Sequence, residues 1–228
     1  MRHFSIELEE LNQKLLEMAG LVESAIHRSV RSLVEQSRDL AQQVIRDEPQ
    51  INRMEMEIDG LVTRLLALRQ PVARDLRFLT AALKINTDLE RIGDLANHIA
   101  ERALSLMHHP LVKPMTDIPK MASLVQSMLL KVLDAFVKSD ADLARTVLLA
   151  DDEVDAMRDA VYAELLATMQ RDPGIVPAAV DLIFVARNLE RIGDHATNIA
   201  EDVVFLVKGI DVRHRVEVDK VETKDLPI

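Results

Sequence analysis

Two pairs of acidic residues are the side chains of this sequence that most clearly could do chemistry. Glu90 and Asp94 stand four residues apart, and the same pair recurs one hundred residues later as Glu190 and Asp194. Residues four apart share one face of a helix, so each pair brings two like charges together, which destabilises an isolated helix. A bound cation would offset that repulsion. Oxygen-rich groups of this kind suit iron, manganese, magnesium or calcium.

Other acidic residues extend both pairs. A helix turns through 100° per residue, so Glu101 falls in the same narrow arc as the first pair and Glu201 in that of the second. Counting back from the turn before each pair places Glu48 level with the first pair and Asp151 and Asp155 level with the second. The sequence therefore predicts metal ligands among these residues: Glu48, Glu90, Asp94, Glu101, Asp151, Asp155, Glu190, Asp194 and Glu201.

Two other interpretations of these acids stay open. They could form a solvated face neutralised by neighbours such as Arg91, or a metal-free docking surface for basic residues of a partner. Asn52 stands where the second copy has Asp155, which predicts a weaker first metal site. His98 and His195 lie near the acids at non-equivalent positions, and we interpret both as surface residues.

Enzymatic activity is not expected. A di-iron or di-manganese helical bundle needs Glu-x-x-His pairs that project into its core, and the sequence contains no Glu-x-x-His. It also lacks a P-loop, a glycine-rich dinucleotide turn, and the HExxH and G-x-S-x-G motifs. We therefore assign no catalytic residue and no organic cofactor.

The elements that must position the acids follow from an internal repeat. The hexapeptide Leu89-Glu-Arg-Ile-Gly-Asp94 recurs as Leu189-Glu-Arg-Ile-Gly-Asp194. Around it, apolar residues at alternating steps of three and four draw one stripe along a helix. Similar stripes mark the two preceding helices of each copy, including one from Ile51 to Leu68. The pattern predicts an all-α fold of two tandem, pseudo-symmetric three-helix bundles, with six long helices.

Breakers divide the chain into four segments. A first three-helix bundle is predicted over residues 1–109 and a second over 120–209. Between them lies a proline-rich linker over 110–119, and a charged, flexible tail is predicted over 210–228. The turn between the last two helices should be three residues shorter in the second bundle, because the repeat offset falls from 103 to 100 there.

Composition limits the partners and the compartment. The chain has 228 residues and no cysteine, which excludes disulfides and thiolate zinc sites. A formal net charge of −10 disfavours binding to a nucleic-acid backbone. The sequence has neither a signal peptide nor an apolar run long enough to span a membrane. We therefore expect a cytoplasmic protein with no nucleic-acid partner and no membrane insertion.

The repeated hexapeptide and its continuations, Ala96-Asn-His-Ile-Ala-Glu101 and His195-Ala-Thr-Asn-Ile-Ala-Glu201, resemble the signature of the PhoU family. The resemblance runs from about residue 4 to residue 209 and implies two bundles, each with an E(D)-x-x-x-D motif. It implies that Glu90, Asp94, Glu190 and Asp194 are the motif acids. It also implies carboxylate-held metal clusters, with iron as the expected metal and manganese, magnesium, zinc or calcium as alternatives.

The resemblance further implies a role in phosphate regulation. PhoU proteins resemble adaptors between the ATPase subunit of the phosphate ABC transporter and the phosphate-sensing histidine kinase. They restrain phosphate uptake and signalling when phosphate is plentiful. A homodimer is expected, although no residue pattern fixes the oligomeric state. An accessory protein of an ion-driven phosphate permease is the alternative, which the complete duplication disfavours.

Overall fold

Six long helices account for most of the chain in the computed structural model, which describes residues 2–109, 112, 117–210 and 212. No strand occurs among those residues, and the prediction of an all-α fold is confirmed. One 3-10 turn occurs in this part of the chain, Pro173–Ile175, and it precedes the last helix. The helices are α1 Arg2–Val34, α2 Arg38–Arg69, α3 Ala73–Leu106, α4 Asp117–Lys138, α5 Ala141–Arg171 and α6 Val176–Lys208.

Matching helix starts show the duplication in three dimensions. The Ser37 side chain accepts a hydrogen bond from the amide of Leu40 at the start of α2. At the corresponding position before α5, Asp140 accepts from two backbone amides of the first turn. Such caps satisfy amides that have no partner within the helix. The two units therefore begin their second helices in the same way.

The apolar stripes form the core, as predicted. Every apolar stripe residue of α6 from Leu182 to Leu206 is buried, and so is the α3 stripe from Ile85 to Ala103. The prediction was wrong for Leu68, whose surface is 69% exposed. Leu68 lies in the last turn of α2, one residue before the helix ends and beyond its last buried residue, Leu65.

The two bundles pack against each other through α3 and α6, with α1 against α4 beside them. Lys84 in α3 pairs with Asp202 in α6 at 2.6 Å, and Arg102 pairs with Asp181 at 3.1 Å. Residues early in α3 thus contact residues late in α6, so the two helices run antiparallel. Asp181 and Asp202 are both buried, and these ion pairs lie at the seam between the bundles.

The segment boundaries differ slightly from those of the sequence. Helix α4 begins at Asp117, inside the predicted linker. Pro119 is tolerated in its first turn, because the missing amide hydrogen loses no helical bond there. Residues 110, 111 and 113–116 of that linker lie outside the described residues, as does the predicted tail apart from 210 and 212. No helix in the described ranges is both long and apolar enough to cross a membrane.

Candidate functional site

Two clusters of acidic side chains lie between the second and third helices of the two bundles. Each cluster draws two members from each of two neighbouring helices. We call them the first face, between α2 and α3, and the second face, between α5 and α6. The first face contains Glu48, Glu55, Glu90 and Asp94, and the second contains Asp151, Asp155, Glu190 and Asp194.

The glycine of each hexapeptide allows the helices to approach at these faces. A Cβ atom on Gly93 would lie 3.1 and 3.2 Å from two side-chain carbons of Ile51 in α2. On Gly193 it would lie 3.5 Å from the nearest atom of Val154, which is the counterpart of Ile51 in α5. The close approach brings acids of the second helix next to the motif acids of the third. The short distances explain the mid-helix glycine at position 93, whereas at position 193 a Cβ atom would make only an ordinary contact.

Electrostatic repulsion acts on Glu90 in the first face. Its pKa is raised above the ordinary value by burial first and by the Asp94 carboxylate second, and Glu55 and Glu48 add to the effect. Arg91 opposes the shift. Its guanidinium nitrogens lie 3.5 Å from Glu90 and 3.7 Å from Asp94, which are long ion-pair distances. Four acids of two helices are thus close enough to repel each other.

Asn52 belongs to the first face. Its Nδ2 donates a hydrogen bond to Glu48 at 2.7 Å, while its Oδ1 is buried and has no hydrogen-bond partner among the described residues. A buried acceptor without a partner is uncommon, because its desolvation is uncompensated. An amide oxygen is also a hard ligand for metal ions. The position of Asn52 is therefore compatible with a metal site that has oxygen ligands. That this site binds metal more weakly than the second one stays a prediction.

The second face crowds its carboxylates in the same way. The pKa of Asp194 is raised to about 6, by desolvation from surrounding protein atoms first and then by Glu190, Asp151 and Asp155. Asp194 is nevertheless exposed by surface area. Neighbouring atoms and three like charges therefore reduce its ionisation although water still reaches it. A cation bound here would relieve that repulsion.

Arg158 of α5 is a member of the second face that the sequence analysis missed. Its Nη1 lies 2.5 Å from Glu190 and 3.0 Å from Asp155, and its Nε and Nη2 contact Asp159 at 3.0 and 2.9 Å. The corresponding residue in α2 is Glu55, which was also missed. Both stand three residues after Asn52 or Asp155, on the same helix face. This spacing could have identified both residues from the sequence. It was overlooked because the residue is acidic in one copy and basic in the other.

Glu101 and Glu201 stand apart from the other predicted ligands. Each is seven residues after its motif aspartate, or about 10 Å along the helix. Glu101 is exposed, and Glu201 lines a groove at the seam between α3 and α6. Neither residue contributes to the raised pKa of Glu90 or Asp194. Their role as ligands stays a prediction.

His195 is not the simple surface residue that the sequence suggested. It is half-buried at the seam between the bundles, and its Nδ1 lies 2.8 Å from a carboxylate oxygen of Asp88. Its counterpart in α3 is Leu95, which is buried. The His195 side chain is thus engaged with the opposite bundle, whereas His98 is exposed as expected.

The side chains of the two faces provide oxygen ligands, which fit hard cations. Within the ranges that the structure describes, however, no group of three or more His, Asp or Glu side chains is arranged to hold a metal ion as it stands. The open arrangement, the unpartnered Asn52 oxygen and the repulsion at Asp194 are compatible with ligands that close around an ion. Carboxylates on adjacent helices could bridge more than one ion.

Comparison with known proteins gives consistent results. A family model described as the PhoU domain matches residues 15–103 and again residues 118–203. A Pseudomonas aeruginosa protein named phosphate-specific transport system accessory protein PhoU homolog is 43% identical over 214 residues, which cover 93% of this chain and 88% of the relative. A Caulobacter vibrioides protein of the same name is 41% identical over 210 residues, covering 92% and 91%.

Solved structures agree with these relatives. The crystal structure of PhoU from Pseudomonas aeruginosa has a TM-score of 0.88 at 42% identity and covers 91% of this chain and 100% of its own. The phosphate transport system regulatory protein PhoU from Streptococcus pneumoniae has a TM-score of 0.86 at 30% identity, covering 92% and 99%. With its repeated hexapeptide and two matched domains, this chain belongs to the PhoU family.

Proposed function

We propose that this chain is an accessory protein of phosphate-specific transport that restrains phosphate uptake and phosphate-starvation signalling. The observation that carries the proposal is the double PhoU-domain match, together with relatives that carry the name of phosphate transport accessory proteins over nearly its whole length. It acts in the cytoplasm, as an adaptor and not as an enzyme. Its partners are the ATPase subunit of the phosphate ABC transporter and the phosphate-sensing histidine kinase.

The fold suits an adaptor. Two bundles present separate helix faces, and a net charge of −10 favours partners with basic surfaces. Exposed apolar residues on the outer helices, such as Met56 in α2 and Leu149 in α5, add contact area that a partner could cover. A homodimer remains part of the proposal. These features support protein recognition more than they support catalysis.

Metal binding at both faces forms the second part of the proposal. Glu90, Asp94, Glu190 and Asp194 would hold the ions, with Glu48, Asp151 and Asp155 from the preceding helices as companions and Glu101 and Glu201 as more distant candidates. Iron is the expected metal. The bound ions would supply positive charge that draws α2 to α3 and α5 to α6. Crowding of like charges at Glu90 and Asp194 supports this assignment.

A metal-free scaffold is the second candidate. The ion pairs of Arg158 with Glu190 and Asp155 favour it, because they neutralise part of the second face without any metal. In that case both faces would dock basic residues of a partner. Metal analysis of the purified protein separates the two candidates.

A binding experiment tests the adaptor role. The purified chain is passed over the immobilised ATPase subunit of the phosphate transporter and over the cytoplasmic part of the kinase from the same organism, and the dissociation constants are measured. Saturable binding to either protein, together with raised expression of a phosphate-starvation reporter when the gene is deleted, is the expected result. Binding to neither protein and an unchanged reporter would overturn the adaptor role.

A further inference from the structure

The two faces differ in charge at two corresponding positions of their second helices: Asn52 corresponds to Asp155, and Glu55 to Arg158. At the second of these positions the two copies carry opposite charges.

The first face also has a cation, but Arg91 lies 3.5 Å from Glu90 and 3.7 Å from Asp94 and its side chain is 57% exposed. Arg91 is therefore a weaker counter-ion than a mostly buried guanidinium in direct contact with the carboxylates.

The guanidinium of Arg158 lies among carboxylates that are proposed above to hold a metal ion in the second face. Its Nη1 contacts Glu190 of α6 at 2.5 Å and Asp155 of α5 at 3.0 Å, so one nitrogen bridges carboxylates of two helices. The side chain is 22% exposed. Desolvation lowers its pKa, but hydrogen bonds to Asp159 and Glu190 and the negative charges of Asp155 and Glu190 together raise the pKa above its ordinary value. It is thus a permanent cation held between the helices.

A second anchor would let Arg158 leave without losing every partner. Its Nε and Nη2 donate to Asp159, whose side chain is 69% exposed. Because the guanidinium is planar and rigid, Nη1 can leave Glu190 and Asp155 with those two bonds intact only if the exposed Asp159 side chain moves with it. The ion pair with Asp159 lies at the surface and so restrains the side chain only weakly.

We propose that Arg158 is a resident counter-ion of the second face that a metal ion must displace, so that metal fills the first face before the second. This inference rests on the metal binding proposed above. In the first face Glu55 adds a negative charge and Asn52 offers an unpartnered oxygen. The order is the opposite of the one that Asn52 alone suggested, since a resident cation opposes a divalent ion more than one amide ligand does.

Titration with Mn²⁺ tests the order of filling face by face. The double variant Glu90→Ala/Asp94→Ala leaves only the second face, and its dissociation constant for Mn²⁺ is measured by calorimetry with and without Arg158→Gln. We expect Arg158→Gln to tighten binding at least about tenfold. The matched control is Arg187→Gln, which removes an exposed charge three residues before Glu190 and should change binding less than about threefold.

A second experiment places an arginine in the first face and does not depend on the folding of the Arg158 variant. In the double variant Glu190→Ala/Asp194→Ala only the first face remains, and Glu55→Arg should weaken its Mn²⁺ binding at least about tenfold. Circular dichroism checks the helical content of every variant. If Arg158→Gln does not fold, this second arm decides the question.

The possible results are distinguishable. Tighter binding with Arg158→Gln, weaker binding with Glu55→Arg and a lower dissociation constant for the isolated first face than for the isolated second face support the counter-ion and the order of filling. An isolated second face that binds Mn²⁺ more tightly than the first would overturn the order. Mn²⁺ binding that neither change alters would overturn the counter-ion and leave the proposed metal sites intact. A lack of Mn²⁺ binding in the wild type and in every variant would overturn both the counter-ion and the metal sites.

Discussion

Ile51 packs so closely on the backbone of Gly93 that a Cβ atom there would lie 3.1 Å from its side chain. A Cβ atom added to Gly193 would lie 3.5 Å from the nearest atom of Val154, which is an ordinary van der Waals contact. Alanine stabilises a helix interior by about 1 kcal/mol relative to glycine. We therefore expect Gly193→Ala to stabilise the protein by up to about 1 kcal/mol, and Gly93→Ala to gain less or to destabilise it.

Denaturant unfolding measures the difference between these two variants. Gly60→Ala is the control, because nothing lies within 4 Å of its added Cβ and it should show the propensity gain alone. An equal gain for all three variants would mean that Ile51 moves aside at no cost. That result would contradict the explanation of Gly93 as a close-contact residue.

The Asp194 carboxyl predicts a pH-dependent stability. Its pKa of about 6 in the folded protein lies above the ordinary value of 3.8, so the native state binds this proton more tightly than the unfolded chain does. The stability from that proton is present below about pH 4 and is lost as pH rises through 6. In metal-free protein, Asp194→Asn should stabilise by about 1 kcal/mol at pH 7.5, after allowance for solvent screening.

Thermal unfolding at several pH values tests the Asp194 prediction. The gain from Asp194→Asn should shrink as the pH falls from 7.5 to 4.5, because the wild-type carboxyl then becomes protonated as well. A gain that stays the same at both pH values would show that the carboxyl is not crowded by its neighbours.

Arg102 and Asp181 connect the two bundles and give a prediction about the seam. Asp181 is buried, and Arg102 also lies 4.8 Å from the centre of the Phe184 ring. Arg102→Met leaves the buried carboxylate without this partner and should cost about 1 to 3 kcal/mol. Adding Asp181→Ala should restore most of the loss, since alanine occupies the counterpart position 81 in the first bundle. Additive losses would contradict the coupling.

The sequence predicted the helices and the core well because both follow from periodicity. Stripes at steps of three and four specify which face is buried, and their repetition specifies two units. The predicted burial of Leu68 was wrong, because an apolar stripe does not show where along the helix the neighbouring helices stop packing against it.

The sequence did not predict the seam or the charge asymmetry. Asp181 and Asp202 lie off the apolar stripes, and both are buried against cations of the other bundle. Such pairs depend on how the bundles pack, which periodicity within one helix does not encode. Glu55 and Arg158 were not predicted as members of the faces, because the candidate ligands were chosen as acids that occur in both copies and this position has opposite charges in the two copies.

Metal analysis of protein purified without an affinity tag is the most direct test of the claim that the two faces hold metal ions. Inductively coupled plasma mass spectrometry compares the wild type with the variant in which Glu90, Asp94, Glu190 and Asp194 are all alanine. We predict bound iron, manganese or a similar ion in the wild type and its loss in the variant, with the helical content unchanged. Metal absent from the wild type even after loading, or retained by the variant, would contradict the claim.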